Sequence, residues 1–286
     1  MVVDIQSLRT FQAVVEEGGI LSASRQLNTV QSNVTARIKR LEEELGTALF
    51  YRQGRGLVLA PQGEVLLQYA RRILQLEQQA GQAVRNVGES AGALRIGAME
   101  TFAALRLPPL LKQVRQAHPG VDLHISTDTS AALVEQVLQR KLDCAFVGGP
   151  VQHPDLVATE LLQEELVLVR SRDNGSAALP LILFREGCAY RARALSWQRE
   201  QGEQRGEVME LGTLDGILGC VAVGLGQTLM PRPVVSHSRF SDALVLQALA
   251  PHLATVPTVL IRHREALPMN AVDTLIASVD NSSVSG

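Results

Sequence analysis

Aromatic residues are nearly missing. One Trp, three Tyr and six Phe make up 3% of 286 residues, so any core must rest on Leu, Val, Ile and Ala. Cysteine is equally sparse. Cys144, Cys188 and Cys220 are odd in number and far apart, which offers no disulfide framework. The six histidines are scattered, and no His/Cys spacing of metal type appears, so no metal or other cofactor is expected. The formal net charge is only −2, so the whole chain is no basic nucleic-acid binder, and a DNA-binding role would need a local patch. No apolar run reaches membrane-spanning length. The N-terminus MVVDIQSLRTFQ lacks a basic region followed by an apolar segment, so the expected location is the cytoplasm and no membrane partner is expected. There is no nucleophile-elbow serine or phosphate loop, and Gly224-Leu-Gly226 lacks a third glycine and a preceding strand. A cysteine-dependent enzyme acting through Cys188 is the only catalytic alternative, and the chain reads as a non-enzyme.

What is present is globular: 46% hydrophobic and 20% charged residues, in a chain long enough for two domains. Residues 5–17 and 20–27 read as helices separated by Gly18 and Gly19, with Leu21, Ala23 and Leu27 available for a core. Asn28 or Thr29 can cap a third helix, TVQSNVTARIKRLEEELG. In it Val34, Ile38, Leu41 and Leu45 form an apolar stripe. Ser32, Thr35, Ala36, Lys39 and Arg40 lie opposite, and Glu42, Glu43 and Glu44 wait until the last turns. The N-terminal half therefore suits close approach to something anionic. Two helices meeting across a tight turn form a helix-turn-helix. LFYRQGRGLVLAP (49–61) follows as a two-stranded wing with Arg52 and Arg55 near its tip.

From Pro61 the rhythm changes. Leu66, Tyr69, Ile73, Leu76, Ala80, Ala83 and Val87 repeat at alternating 3 and 4 spacing, the seam of a coiled coil. Gly88 to Gly92 reads as a hinge. Beyond it, strands at 93–99, 121–126 and 143–148 alternate with helices at 105–117 and 131–142. That is a βαβαβ pattern, giving a mostly parallel sheet covered on both faces. Strands at 166–169, 181–184, 208–211, 227–230, 244–249 and 258–262 follow, with helices at 190–201, 214–223 and 269–279 and a disordered tail NSSVSG.

Residues 5–67 resemble the LysR-type transcriptional regulators. The run Gln31-Ser32-Asn33-Val34-Thr35, then LEEELG with Leu49-Phe50 and Arg52, carries the likeness; ALRIGAM, HPGVDL, LDCAFVGG, FREGCAYR and VGLGQTLMP match more weakly, in order. Ala60 departs from the family's usual Thr, and Ser24 from its usual Ala. The resemblance implies an α/β chain of three parts. Residues 1–60 form a winged helix-turn-helix and 61–88 a long coiled-coil dimerisation helix. Residues 89–286 form a bilobed, periplasmic-binding-protein-like effector domain. Lobe I spans about 93–161 and 262–280 and lobe II about 162–261, with crossings near 161–165 and 255–262. It further implies double-stranded operator DNA, a small effector, a homodimer or homotetramer, and RNA polymerase as partners.

Gln31, Ser32, Asn33, Thr35 and Arg37 are candidates for base edges, and Lys39, Arg40, Arg52 and Arg55 for backbone contact. The alternatives are a cap role for Gln31, an ion pair of Arg40 with Glu43 or Glu44, and plain solvation for Arg55. For the effector, strand ends followed by hydroxyl residues and glycines single out Thr101, Thr127, Thr129, Ser130, Gly148, Gly149 and Thr213. These suit a small anion such as a carboxylate, with Arg191 as charged partner; the alternative is that each hydroxyl is only a helix cap. Cys188, ahead of a helix, is either a reactive thiol, making the chain a redox-sensing regulator, or a cleft-lining one.

Overall fold

The predicted stripe of the third helix is buried: Val34 and Leu41 are fully inaccessible and Ile38 nearly so. They pack with Leu8, Phe11, Val14, Ala23 and Leu49 into the core of the first of two units, Met1–Val87 and Gly88–Gly286. The structure, a computed structural model, describes residues 3–53, 56–85, 92–173, 179–202 and 207–282.

In the first unit α1 (Ile5–Glu16) starts at Asp4, whose carboxylate accepts from the Ser7 N–H at 2.8 Å and the Ser7 hydroxyl at 2.7 Å. Gly18, at φ 72°, turns the chain into α2 (Ile20–Gln26). Leu21, expected in the core, is 49% exposed; the helix buries Ala23 and Ser24 instead, and Ser24 donates to the Leu21 carbonyl. Neither Asn28 nor Thr29 caps α3 (Gln31–Leu45). The cap is extended Val30, without a side-chain bond, because Asn28 is spent on the turn at φ 49°. Gly46 closes α3 in the left-handed region at φ 68°.

The wing pairs β1 (Phe50–Gln53) with β2 (Gly56–Leu59) antiparallel. Glu42 fastens it to α3, its Oε1 accepting from the N–H groups of Leu49 (2.8 Å) and Phe50 (3.3 Å). Then α4 (Pro61–Arg85) crosses so near that a Cβ on Gly63 would lie 2.5 Å from the Leu49 carbonyl oxygen. Ion pairs Arg9–Glu77 (2.7 Å) and Arg71–Glu16 (3.4 Å) hold α4 to α1. The seam needs correction. Leu66 belongs to the core of this unit with Leu67, Ala70 and Leu74, because one face of α4 must cover α1 and the wing. The exposed stripe is Val65 (57%), Tyr69 (56%), Ile73 (40%) and Leu76 (60%). The side chains of Ala83 and Val87 lie outside the described residues.

The second unit opens with β3 (Gly92–Ala98), which takes in the last residue of the expected hinge; residues 88–91 lie outside the described residues. The helix expected at 105–117 is α6 (Leu107–Ala117); a separate short helix that was not expected, α5 (Glu100–Leu105), precedes it, with the break at Arg106 ahead of Pro108-Pro109. After β4 (Val121–Thr127) comes α7 (Ser130–Leu138), shorter than expected because Arg140 turns to φ 57°. β3 pairs parallel with β4 and with β5 (Cys144–Gly148).

A single 16-residue strand, β6 (Leu156–Ser171), then runs from one lobe into the other. The second lobe holds β7 (Leu181–Leu183), α8 (Ala189–Glu200), β8 (Val208–Glu210), α9 (Leu214–Ala222), β9 (Thr228–Pro231), α10 (Arg232–Ser236), β10 (Leu244–Ala248) and α11 (Pro251–Ala254). The chain returns along β11 (Thr255–His263) and ends in α12 (Asn270–Ser282), which extends into the expected tail; residues 283–286 lie outside the described residues.

The sheet order is β10-β6-β11-β5-β3-β4, with β9 also on β6. Only the β4-β3-β5 part is parallel. β11 runs antiparallel to β5 and β6, and β9 and β10 run antiparallel to β6, so the expectation of a mostly parallel sheet fails where the long crossing strands are shared by both lobes. Residues 258–262 already pair with β5, so the return crossing lies before Thr258 and lobe I regains the chain earlier than residue 262.

Candidate functional site

On α3 the face opposite the stripe is open. Gln31, Ser32, Asn33, Thr35, Ala36, Lys39 and Arg40 are exposed, and the first turn holds no acid. Thr35 donates its hydroxyl proton to the Gln31 carbonyl at 2.9 Å, and Asn33 donates to the Thr29 hydroxyl at 3.2 Å. Both bonds are local, so the groups stay presented at the surface. Arg37 departs from expectation: it is half-buried and reaches back to the Thr10 hydroxyl of α1 at 3.5 Å. Arg40 pairs with Glu44 at 3.0 Å and Lys39 with Glu43 at 3.8 Å, exposed i,i+4 pairs that cost little to exchange for another anion. Arg52 is exposed on the wing, and Arg55 lies outside the described residues.

In the second unit, parallel pairing aligns the ends of β3 and β4 at Ala98 and Thr127, and those of β3 and β5 at Ala98 and Phe146. A cleft opens at these ends, enclosing about 510 Å³ including the part open to solvent. Among the residues singled out from the sequence, Thr101, Thr127, Thr129, Ser130 and Cys188 line it. Their hydroxyls are largely committed. Buried Thr101 lies 3.3 Å from the Tyr190 hydroxyl, which in turn donates to the Met99 sulfur. Thr129 caps α7, accepting from the Ala132 N–H, and Ser130 accepts from the Gly148 N–H at 3.0 Å.

The helix end expected to receive an anion is also occupied. The Ala131 N–H goes to the Gly187 carbonyl at 3.1 Å, so lobe II latches onto the first turn of α7. Gly187 fits there at φ 90°, where a Cβ would lie 2.9 Å from both Ala131 Cβ and the Thr129 hydroxyl.

Gly148, Gly149, Arg191 and Thr213 do not line the cleft. Gly148 is a packing glycine, where a Cβ would meet Ala189 at 3.1 Å, and the Gly149 N–H is bound to the Pro257 carbonyl at 2.8 Å. Arg191 is turned away by the Phe184 carbonyl (2.8 Å) and the Glu210 carboxylate (3.0 Å). Thr213 caps α9 by accepting from the Gly216 N–H, and its neighbour Gly212 lines the cleft instead. Burial pushes the Cys188 thiol above the ordinary cysteine range, outweighing the nearby amides of Arg191 and Tyr190 and the Arg191 charge.

Sequence reasoning missed Glu100, Asp128, Phe184, Arg185 and Tyr190, all in the lining. Position was the available signal: Asp128 sits between two chosen threonines, and Arg185 directly follows LILF. Asp128 accepts from its neighbour's amide, the Thr129 N–H, at 2.8 Å and pairs with Arg185 at 3.6 Å. Among the described residues no group of three or more His, Cys, Asp or Glu could hold a metal ion, and no helix is long and apolar enough to cross a membrane.

Two family models match the chain: "Bacterial regulatory helix-turn-helix protein, lysR family" over residues 5–64 and "LysR substrate binding domain" over residues 88–282. The HTH-type transcriptional regulator SoxR of Arthrobacter sp. (strain TE1826) is 37% identical over 283 residues, 98% of this chain and 97% of that protein. The HTH-type transcriptional regulator GltR of Bacillus subtilis (strain 168) is 36% identical over 280 residues, 96% of this chain and 95% of that one. The solved structure of full-length CbnR with its target DNA superposes with a TM-score of 0.70 at 21% identity, over 98% of this chain and all of that one. A full-length OxyR variant from Pseudomonas aeruginosa gives 0.72 at 21% identity, over 98% and 95%. At that identity the last two speak for the fold.

Proposed function

The chain belongs to the LysR family of transcriptional regulators, DNA-binding proteins with an effector-binding domain and not enzymes, and from that premise we propose how its own residues divide the work. Residues 1–60 form the DNA reader, 61–88 the pairing helix and 89–286 the effector domain. Gln31, Ser32, Asn33 and Thr35 meet base edges in the major groove, because they stand exposed on the N-terminal turns of the second helix of a helix-turn-helix. Lys39, Arg40, Arg52 and Arg55 neutralise phosphates, and Arg37 braces α3 against α1. The stripe Val65, Tyr69, Ile73 and Leu76 pairs with the same stripe of a second copy, giving two readers for two half-sites. A small molecule with a carboxylate binds the cleft beside Thr127, Thr129 and Arg185. By binding one arrangement of the two lobes better than another, it alters the fit to DNA.

The single observation that carries this reading is the acid-free, exposed N-terminal half of α3 on a buried apolar stripe. The test is a footprint of the full chain on its own promoter region, with and without small carboxylates. Protection of two half-sites whose extent changes with one of them is the expected result. Sequence-independent protection that no small molecule alters would overturn it. No observation favours a thiol sensor, since Cys188 is held as a thiol and Cys144 is fully buried.

A further inference from the structure

The charges in the cleft say more about the ligand than its hydroxyls do, an inference that rests on the cleft being the effector site. Three charged residues line it, Glu100, Asp128 and Arg185. Two acids against one base leave one net negative charge, which disfavours a plain carboxylate. Of the first amides of α7, those of Ala131, Ala132 and Leu133 are already bound to Gly187 O, Thr129 Oγ1 and Thr129 O, so only the Ser130 amide is left to offset that balance. What remains open is specific. Glu100 has no hydrogen-bond or ion-pair partner among the described residues, although it lines a cleft. Arg185 is 60% exposed and gives Asp128 a contact at 3.6 Å, so it keeps donors free.

A ligand that carried only a carboxylate would satisfy Arg185 and face Glu100. A ligand that carried only an amine would satisfy Glu100 and leave Arg185 unused. A zwitterion answers both and adds no net charge. Size narrows the class further. The cleft encloses about 510 Å³, the part open to solvent included, which suits a small ligand. Met99, Phe184 and Ala189 supply apolar lining for a short carbon chain. We propose that the effector is a small amino acid, its ammonium held by Glu100 with Asp128 nearby and its carboxylate held by Arg185.

The test uses the full-length chain and calorimetric titration with glycine, L-alanine, L-serine and L-aspartate, beside pyruvate and lactate, which lack the ammonium, and ethylamine, which lacks the carboxylate. At least one amino acid binds, and pyruvate, lactate and ethylamine bind at least about 10-fold more weakly than it does. Glu100→Gln and Arg185→Gln each weaken the amino acid about 10-fold or more, and Glu100→Gln narrows the gap between the amino acid and its ammonium-free analogue. Binding of pyruvate or lactate as tight as that of the best amino acid overturns the proposal and leaves the cleft as effector site. Binding of none of the amino acids overturns it also. Binding that survives both substitutions unchanged overturns the proposal and the cleft together.

Discussion

The proposed DNA-reading face and the proposed effector cleft are built in opposite ways. The face is one uninterrupted stretch, Gln31 to Arg40, on a helix whose inward side is fixed by Val34, Ile38 and Leu41. The cleft is assembled from residues 99–101, 127–130, 184–185 and 188–190 with Gly212, all brought together by folding. In the first case helical phase alone decides what points outward. In the second, each polar group chooses among partners that arrive from elsewhere, and Thr101, Ser130 and the Ala131 amide are taken by the protein itself. A contiguous site is therefore a property of the segment, and an assembled one of the competition for hydrogen bonds.

The largest test of this contrast separates the two halves. If the face works only in duplicate while the cleft works within one chain, Leu76→Asp should break the first and spare the second. Leu76 is 60% exposed in a single chain, so the variant should fold. Against a partner helix the new carboxylate would be buried at a cost of several kcal/mol. Sedimentation should show dissociation, and operator affinity should fall by about 100-fold or more, with ligand binding to the cleft retained. A dimer of unchanged stability would falsify the pairing stripe.

The next test sharpens the reading within the face. Thr35→Ala removes a hydroxyl that the proposal places at base edges and should change preference at one base pair by about 1–3 kcal/mol. Arg52→Ala should weaken all sequences alike and lower the log–log salt slope by about one. Competition binding on a panel of single-base operator variants at several salt concentrations distinguishes the two. Identical behaviour of both variants would remove the distinction between reading and positioning.

The same contrast explains how much was legible beforehand. The α3 stripe, the wing, the βαβαβ start and most later strands follow from apolar periodicity and glycine placement. The long strand β6 does not, because residues 156–165, LVATELLQEE, lack strict period-two alternation of apolar and polar residues and carry the acids Glu160, Glu164 and Glu165. Thr127 and Thr129 were visible as hydroxyls at a strand end, whereas Arg191 was misplaced into the cleft. It sits only two residues into α8, and nothing local says that Phe184 and Glu210 will hold it while Arg185 lines the cleft. Leu66 was drawn into the seam because a heptad cannot tell the face that covers its own domain from the face that meets a partner.

The latch across the cleft offers a third test. Gly187→Ala places a methyl 2.9 Å from Ala131 Cβ and the Thr129 hydroxyl at a backbone angle that disfavours side chains. Such strain costs on the order of 1–3 kcal/mol, so the Ala131–Gly187 bond should open. Effector affinity should drop by about 5- to 100-fold and the melting temperature fall modestly, with operator binding in the absence of effector kept. Normal effector affinity in a stably folded Gly187→Ala chain would show that the latch is not part of the site.

The smallest effect concerns the strands that join the lobes. Glu164 and Glu165 are neighbours on β6 with opposite surroundings. Glu165 is exposed and bonded twice by Arg232 at 2.9 Å, which lowers its pKa. Glu164 is buried opposite Val256, and burial raises its pKa above the ordinary 4.5 despite Arg106 at 3.6 Å. A carboxyl raised in the folded state holds its proton more tightly there than in the unfolded chain. Stability from Glu164 is therefore greatest at low pH and is lost as pH rises from about 4.5 through the raised value. Glu165 works the other way, adding stability at neutral pH that is lost as pH falls through its lowered value. Glu164→Gln removes the first effect and keeps the second. The melting temperature of the variant relative to the native chain should therefore climb as pH rises from about 4.5 through the raised value. Thermal denaturation of both proteins across that range measures it, and a difference that is flat or declines with pH would mean that Arg106 compensates the buried charge in full.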